Sequence, residues 1–269
     1  MSGIDWDDAF ANGRYIAGAA AYPADWAEAA RACRAGAQIR ADIAYGPDPR
    51  ARYDLILPED RVRGLVVFVH GGYWLQFDKS CWSHLAAGPV AQGWAVAVPS
   101  YPLAPQASLP EITVQIAQAI AHAAHEVAGP IRLVGHSAGG HLVTRMVCAT
   151  SPLAPELHAR LARVVSVSGL HDLRPLLATR MNAELGLTPE TAVQESAALQ
   201  APLAGVPVTV WVGGHERPEF LRQAALLREA WGLRGGDVTL VVAPGRHHFD
   251  VIAELSHAQS ALTQAVIAA

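Results

Sequence analysis

The chain has 269 residues, of which 51% are apolar and only 16% charged, and its formal net charge is −4. This composition supplies a sizeable core, and the absence of a basic block makes nucleic acid an unexpected partner. No apolar run approaches the ~18 residues of a membrane-spanning helix, so no membrane partner is expected. Three widely spaced cysteines, Cys33, Cys81 and Cys148, suit a reducing compartment and indicate a cytoplasmic location.

The first predicted elements follow an acidic opening, MSGIDWDDAF, which lacks the apolar core of a signal peptide. A helical pattern covers residues 24–36 and ends at Gly36. RYDLILP, at 52–58, alternates like a half-buried strand at the edge of a sheet. Continuous apolar runs then predict strands buried on both faces at 64–70, 94–101, 131–137, 164–170, 207–214 and 237–245.

Helical patterns separate these strands, at residues 80–92, 110–128, 139–150, 217–231 and 250–268. Such alternation predicts an α/β fold, in which helices flank both faces of a mostly parallel sheet of about eight strands. Residues 171–206 differ because prolines and polar side chains interrupt their short helical pieces. We interpret this segment as a small cap-like insertion over the sheet edge where ligands usually bind. We find no internal repeat or linker, so residues 1–269 are expected to form a single domain.

The stretch IRLVGHSAGGHLV, at 131–143, predicts a buried strand, a tight turn and a helix. Gly135 and Gly139 flank Ser137 in a G-x-S-x-G pattern, the nucleophile elbow of the α/β-hydrolase fold. A side chain at either glycine would collide with the neighbouring strand or helix. The turn exposes the Ser137 hydroxyl at a helix N-terminus, where the dipole favours developing negative charge. A serine that merely capped the helix would not explain the glycines, so we predict that Ser137 is a nucleophile.

A second glycine-rich turn, VFVHGGYWLQF at 67–77, follows an earlier strand. Acyl transfer creates an oxyanion that two backbone N–H groups must hold. We expect one donor at Ala138, directly after the nucleophile, and the other at Gly72 or Tyr73. Gly71 lets the main chain approach the substrate carbonyl. His70 is interpreted as a support for this loop by hydrogen bonding.

The aromatic side chains after this turn are Tyr73, Trp74 and Phe77. They would wall the pocket beside the reacting carbonyl. Packing of the loop onto the sheet remains the alternative for at least one of them. Gly71, Trp74 and Tyr101 are predicted to contact substrate, and Trp82 is a further candidate neighbour for an aromatic ring.

The base and the acid follow the serine in the chain order Ser, acid, His. PGRHHFDVI, at 244–252, offers His247 and His248, and we favour His248 because the next residue, Phe249, should turn into the core. Glu216 follows a predicted strand, where this fold gathers its catalytic groups. Glu219 begins the next helix and would have a capping role. Asp250 lies too near His248 in the chain to reach the back of its ring.

Three other histidines are interpreted as structural. His122 and His125 lie on a predicted helix without further metal ligands nearby in sequence, so we expect a solvated helix face. His141 lies one turn along the helix after Ser137 and should point away from the pocket. No metal or organic cofactor is expected.

Four stretches resemble kynurenine formamidase (arylformamidase) and its bacterial relatives among the α/β-hydrolase esterases: HGGYW at 70–74, GHSAGGHL at 135–142, GGHERPEFLRQ at 213–223 and HHFDVI at 247–252. The resemblance extends over most of the chain, although HGG and GHSAGG alone occur in many esterases and lipases. It implies that Ser137 is the nucleophile, His248 the base and residue 216 the acid. It also implies oxyanion donors at Gly72, Tyr73 and Ala138.

The chain departs from this family at the acid, because members commonly carry Asp where this chain has Glu216. We therefore expect a serine hydrolase that cleaves small carboxylic esters or N-formyl arylamides through an acyl-enzyme. A dedicated N-formylkynurenine formamidase of tryptophan catabolism is one alternative, and a non-catalytic ligand-binding protein of the same fold is another. A small-molecule substrate is the expected partner, and a homodimer stays open.

Overall fold

The computed structural model describes residues 3–268 and contains one eight-stranded sheet in the order β1-β2-β4-β3-β5-β6-β7-β8. The strands are β1 (Gln38–Ala44), β2 (Arg52–Leu57), β3 (Leu65–Val69), β4 (Ala95–Pro99), β5 (Ile131–His136), β6 (Leu161–Val167), β7 (Val208–Gly213) and β8 (Val238–Ala243). β2 pairs antiparallel with both β1 and β4, and all other neighbouring strands in this sheet are parallel. The predicted mostly parallel sheet of about eight strands is confirmed.

β1 is a strand that the sequence patterns did not predict. It reads QIRADIA, and most of its residues are exposed. The pairing register shifts between Arg40 and Ile43, and Asp42 between them has a φ of 57°. Bulges and charged side chains are common devices that stop an edge strand from pairing with other chains. The same charges hide the strand from a search for apolar runs.

The helices flank the sheet as the alternating pattern predicts. They are α1 (Trp6–Ala9), α2 (Tyr22–Gly36), α3 (Ala87–Ala91), α4 (Leu109–Glu126), α5 (Ala138–Arg145), α6 (Pro155–His158), α7 (Asn182–Leu185), α8 (Pro189–Gln194), α9 (Pro218–Gly232) and α10 (Ala261–Ile267). Short 3₁₀ turns lie at Asn12–Tyr15, Lys79–Cys81, Ser83–Ala86, Arg174–Ala178, Ala197–Leu199 and Ala253–Ser256.

Three predicted helices are shorter than their patterns, and one of them is α5, which ends at Arg145 although its pattern runs to residue 150. The 80–92 pattern divides into 3₁₀ turns and α3, and the 250–268 pattern divides into a 3₁₀ turn and α10. The second division has a local cause, because the Ser260 hydroxyl accepts a hydrogen bond from the Thr263 backbone N–H and caps a new helix there.

Two apolar cores lie on the two faces of the sheet. One packs α4, α5 and α9 against the strands, through side chains such as Ile116, Leu142 and Leu227. The other includes Trp26 of α2 and Leu262 of α10. β3, β4, β5 and β7 are buried along their whole length, which explains their continuous apolar sequences. No helix within residues 3–268 is long and apolar enough to cross a bilayer.

Residues 171–206 pack onto the helical layer. The buried Glu195 carboxylate accepts hydrogen bonds from Thr113 Oγ1 (2.7 Å) and Arg145 Nε (3.2 Å). The indole N–H of Trp231 in α9 donates to the Ala197 carbonyl at 2.8 Å. These contacts hold the segment against α4, α5 and α9.

Candidate active site

The predicted elbow has the backbone geometry that its glycines suggest. Ser137 joins β5 to α5 with φ 56° and ψ −118°, a conformation that a non-glycine residue rarely adopts. A Cβ atom on Gly135 would lie 2.1 Å from the Gly139 carbonyl oxygen, and one on Gly139 would lie 1.9 Å from the Val69 carbonyl oxygen. Ser137 is only 2% exposed, so it lies at the floor of a cavity and not at the open surface.

Ser137, His248 and Glu216 form a continuous chain of hydrogen bonds. The Oγ atom of Ser137 lies 3.1 Å from Nε2 of His248, and Nδ1 of His248 lies 2.7 Å from Oε2 of Glu216. The other carboxylate oxygen of Glu216 accepts hydrogen bonds from the Gly213 backbone N–H, at 2.9 Å, and from the Ser168 hydroxyl. The carboxylate requires a proton on Nδ1, which leaves Nε2 free to accept the serine proton.

Three residues that the sequence reasoning missed hold the acid and the base. Ser168 donates to Glu216 from the end of β6, with a φ of 52°. Nε2 of His136 donates to the His248 carbonyl oxygen at 2.9 Å, and burial holds the pKa of His136 well below its usual value. The ring of Phe220 packs 4.4 Å from that of His248, centroid to centroid. Ser168 could have been found, since it follows a buried strand that neighbours the acid's strand.

The competing acids and the neighbouring histidine have other partners. Glu219 lies in the first turn of α9, as predicted, where it pairs with Arg222 at 2.7 Å and accepts a hydrogen bond from Gln223 at 2.7 Å. Asp250 accepts from the His247 backbone N–H at 2.7 Å. Nε2 of His247 lies 3.2 Å from the Tyr22 hydroxyl, remote from the serine in the hydrogen-bond network.

The glycine-rich loop after β3 lies against the elbow. A Cβ atom on Gly71 would lie 2.9 Å from both the His136 carbonyl oxygen and Ser137 Cβ, which explains why a glycine is needed there. Gly72 and Tyr73 have φ values of 105° and 52°. The loop is therefore close enough to the nucleophile to present backbone N–H groups to an oxyanion.

His70 holds this loop in the way that the sequence suggested. Its Nδ1 donates to the Gly71 carbonyl oxygen at 2.7 Å, and burial lowers its pKa to about 4, so the ring is neutral. The peptide between Gly71 and Gly72 is trans, and the N–H of Gly72 therefore points away from His70. The ring also stacks on Tyr101, with centroids 4.4 Å apart, and the Tyr101 hydroxyl donates to the His70 carbonyl at 3.0 Å.

Two predicted substrate contacts need correction. Trp74 and Tyr101 are both fully buried, and neither lines the cavity above Ser137. The positive φ of Trp74, 60°, turns its indole into the core, where it meets the ring of His141 edge-on at 5.1 Å. Tyr101 supports His70 from behind. Phe249 is half-buried: it packs against the core beside Trp26, as expected, and it also lines the cavity.

The cavity above Ser137 has a volume of about 510 Å³. This size is within the range of small-molecule sites. Gly71, Gly72, His136 and His248 surround the serine. The aromatic side chains on its walls are Phe10, Trp26, Tyr73, Phe77, Trp82 and Phe249. Among the described residues, no lysine or arginine lines the cavity. The acidic lining residue, Asp7, accepts a hydrogen bond from the Arg180 backbone N–H (2.8 Å), and its carboxylate lies 3.2 Å from Arg180 Nε.

The N-terminal residues supply much of this cavity, and the sequence reasoning missed them. Nine of the 20 lining residues lie between Asp7 and Trp26, whereas the 171–206 segment supplies Met181. The Tyr73 hydroxyl donates to the Phe10 carbonyl at 2.7 Å and so ties this region to the glycine-rich loop. The spacing of Trp6 and Phe10, one helical turn apart, was the available signal.

The other histidines have structural partners. Nδ1 of His122 lies 3.0 Å from the Tyr53 hydroxyl, and Nε2 of His141 donates to the Glu195 carbonyl at 2.8 Å. Burial lowers the pKa of His141 to about 4, so it is neutral. His141 agrees with the structural interpretation. His122 is also structural, but it is half-buried against Tyr53 and not on the expected solvated face, whereas His125 is exposed.

Several solved structures are similar to this fold. A crystal structure from Silicibacter sp. TM1040, provisionally designated a thioesterase, is 49% identical with a TM-score of 0.94, and the match covers 99% of this chain and 100% of that one. Esterase B from Lactobacillus rhamnosis, at 19% identity, matches with a TM-score of 0.67 over 91% and 90% of the two chains. At 19% identity, the match to esterase B is evidence for the fold alone.

The relatives of similar sequence are enzymes. The kynurenine formamidase of Danio rerio is 28% identical over 243 residues, which cover 87% of this chain and 83% of that protein. An isoprenylcysteine alpha-carbonyl methylesterase of Arabidopsis thaliana is 33% identical over 113 residues, or 39% of this chain and 26% of that one. The BD-FAE family model matches residues 53–204, more than half of the chain. The chain therefore belongs to the BD-FAE family, as an arylformamidase-like hydrolytic enzyme of the α/β-hydrolase fold.

Proposed function

We propose that this enzyme is a serine hydrolase that cleaves small, neutral carboxylic esters or N-formyl arylamides through a Ser137–His248–Glu216 triad. The observation that carries the proposal is the hydrogen-bond chain, 3.1 Å from serine to histidine and 2.7 Å from histidine to glutamate, at the floor of an aromatic cavity. Substrates of this class need no metal or organic cofactor, because the triad itself supplies the nucleophile and the proton transfers.

In the proposed mechanism the Ser137 hydroxyl attacks the carbonyl carbon while Nε2 of His248 accepts its proton. Glu216 keeps the imidazole in the required tautomer and stabilises the imidazolium that forms. The backbone N–H groups of Ala138 and of Gly72 or Tyr73 hold the oxyanion. His248 then protonates the leaving oxygen or nitrogen, and water, activated by the same histidine, hydrolyses the acyl-enzyme.

The cavity walls favour a neutral substrate. Six aromatic side chains line the cavity, and no basic side chain of the described residues does. A substrate carboxylate would lose water there without gaining a cationic partner, which is costly. N-formylkynurenine carries such a carboxylate. The absence of a basic side chain from the described cavity lining favours general ester or amide hydrolysis over a dedicated formylkynurenine activity. That activity is the second candidate because kynurenine formamidases are among the relatives.

Covalent labelling and a substrate panel test the proposal together. A fluorophosphonate should label the parent at Ser137 and leave Ser137→Ala unlabelled, whereas a non-catalytic ligand-binding protein would not be labelled at all. The panel contains phenyl acetate, formanilide, S-phenyl thioacetate and N-formylkynurenine. We expect turnover of the neutral substrates and a loss of roughly 10³-fold or more in kcat for Ser137→Ala. Labelling without turnover of any neutral substrate, or turnover of N-formylkynurenine alone, would overturn the substrate assignment.

A further inference from the structure

The N-terminal wall, defined as residues 7–26, faces the catalytic residues across the cavity. Its lining residues are mostly small, and they are Asp7, Phe10, Ala11, Asn12, Gly13, Ala19, Ala20, Pro23 and Trp26. The large rings of Phe77, Trp82 and Phe249 also line the cavity, and all three pack against Trp26 of this wall, with centroids 5.9, 4.8 and 5.4 Å away. The open space beside this ring cluster therefore depends on the small side chains of the N-terminal wall.

Specific polar contacts hold this wall in place. The Asp8 carboxylate accepts hydrogen bonds from the Tyr15 hydroxyl (2.7 Å), Arg14 (3.0 Å) and Arg217 (2.6 Å). The Arg217 guanidinium also lies over the Tyr15 ring, 3.7 Å from its centroid. Arg217 directly follows Glu216, so the wall is fixed to the loop that carries the acid.

Gly13 lines the cavity beside Phe249, the residue that follows the base. A Cβ atom on Gly13 would lie 3.8 Å from Ala19 Cβ and 3.8 Å from Cζ of Phe249. A methyl group would therefore just make contact, and any larger side chain would enter the cavity. The φ of Gly13 is outside the left-handed region, so larger residues meet no backbone obstacle there.

The side of the cavity next to Phe249 is where the leaving group must lie. His248 protonates the leaving atom, so the substituent on that atom extends past His248 toward its neighbour, Phe249. The rings of Trp26 and Phe249 pack edge-to-face, 5.4 Å apart, and present apolar surface on this side. A planar, neutral aromatic group would fit against these rings, in the cavity that the small residues of the N-terminal wall leave open.

We infer that the N-terminal wall forms the leaving-group subsite and that Gly13 sets the size of the aromatic group admitted to it. The inference rests on the proposed serine hydrolase mechanism and adds where the leaving group binds and which residue limits its size, to one or two rings. The absence of a side chain at residue 13 keeps this subsite open.

Two acetates that form the same acyl-enzyme provide the kinetic test. The kcat/KM for 1-naphthyl acetate is compared with that for methyl acetate in the parent, Gly13→Ala and Gly13→Phe. We expect Gly13→Phe to lower the naphthyl-to-methyl ratio by at least about ten-fold, and Gly13→Ala to change it less than about three-fold. Gly36→Phe is the matched control, because Gly36 lies at the end of α2 with no atom within 4 Å of its would-be Cβ, and its ratio should equal the parent's. An unchanged ratio in Gly13→Phe would overturn the inference.

A binding measurement separates the subsite from the chemistry. Calorimetric titration of 1-naphthol into Ser137→Ala needs no turnover, and we expect the affinity to fall at least about ten-fold in Ser137→Ala/Gly13→Phe. Equal affinities of the two variants for 1-naphthol, or no binding of 1-naphthol to Ser137→Ala, would contradict the proposed subsite even if the parent enzyme is active. If the parent hydrolyses neither acetate but 1-naphthol binding still depends on residue 13, the proposed mechanism fails and the subsite stands.

Discussion

The two sides of the cavity differ in how strictly chemistry constrains them. The catalytic side consists of strand ends and tight turns, in which Gly135 and Gly139 are imposed by contacts of 2.1 Å and 1.9 Å that a side chain would create. The N-terminal wall is built from small residues and surface ion pairs, and many sequences could form a wall of that shape. The catalytic side can therefore be recognised from a sequence pattern, whereas the N-terminal wall, which selects the substrate, has almost no such pattern.

The largest effect should come from the base on the catalytic side. His248→Ala removes the group that lies 3.1 Å from the Ser137 hydroxyl, and we expect kcat to fall by roughly 10³-fold or more. His247→Ala loses the contact with Tyr22 and the hydrogen bonds that His247 Nδ1 accepts from the backbone N–H groups of Phe249 and Asp250, and it should merely impair activity. Steady-state kinetics on phenyl acetate would check both variants, and the reverse ranking would refute the choice of base.

The acid should have the next largest effect. Glu216→Gln keeps the size of the side chain but offers no charge to the imidazolium and can stabilise the wrong tautomer. We expect at least about a hundred-fold loss in kcat. The control is Glu219→Gln, whose carboxylate pairs with Arg222 and Gln223 and should be replaceable within a few-fold. A nearly active Glu216→Gln beside an inactive Glu219→Gln would show that the acid is misplaced.

Ser168 should matter less, because it acts through Glu216. Ser168→Ala removes one hydrogen bond to the carboxylate and leaves the Gly213 N–H and His248 as partners. A hydrogen bond to a charged group contributes about 1.5–3 kcal/mol, so we expect kcat to fall about ten-fold with little change in KM. A parent-like kcat would show that the remaining two bonds are enough to position the acid.

The smallest effect should come from the N-terminal wall. Asp8→Ala frees Arg14, Tyr15 and Arg217, and the aromatic subsite should become less well ordered. Because these ion pairs are at the surface, we expect only a few-fold rise in KM for 1-naphthyl acetate and an unchanged kcat. A fall in kcat as large as that of Ser168→Ala would mean that the wall also positions the triad.

The contacts of the Asp8 carboxylate should be insensitive to pH near neutrality. The hydrogen bond from the Tyr15 hydroxyl is the main cause that lowers the pKa of Asp8 below its ordinary 3.8, and Arg217 and Arg14 add to it. A carboxyl group with a depressed pKa contributes stability above its unfolded pKa and loses it as the pH falls through the folded pKa. The naphthyl-to-methyl ratio should therefore stay constant from about pH 5 to about pH 8.

The sequence patterns were sufficient for seven of the eight strands in the described sheet and for the residues that meet at Ser137. Buried parallel strands and a strained elbow require particular residue types, so their positions could be predicted. Trp74 was misplaced because a positive φ, which turned its indole into the core, is not visible in a sequence of aromatic residues. The role of residues 7–26 was missed because it depends on tertiary contacts, such as Arg217 to Asp8, between segments about 200 residues apart.

The most direct test of the triad is to trap its intermediate. The parent is mixed with 4-nitrophenyl acetate and quenched in acid during the first turnover, and the acetylated peptide is identified by mass spectrometry. We expect a burst of 4-nitrophenol of about one equivalent per chain and a single acetyl group on Ser137. Turnover with no acetylated Ser137, or an acetyl group on another residue that survives in Ser137→Ala, would contradict the proposed triad.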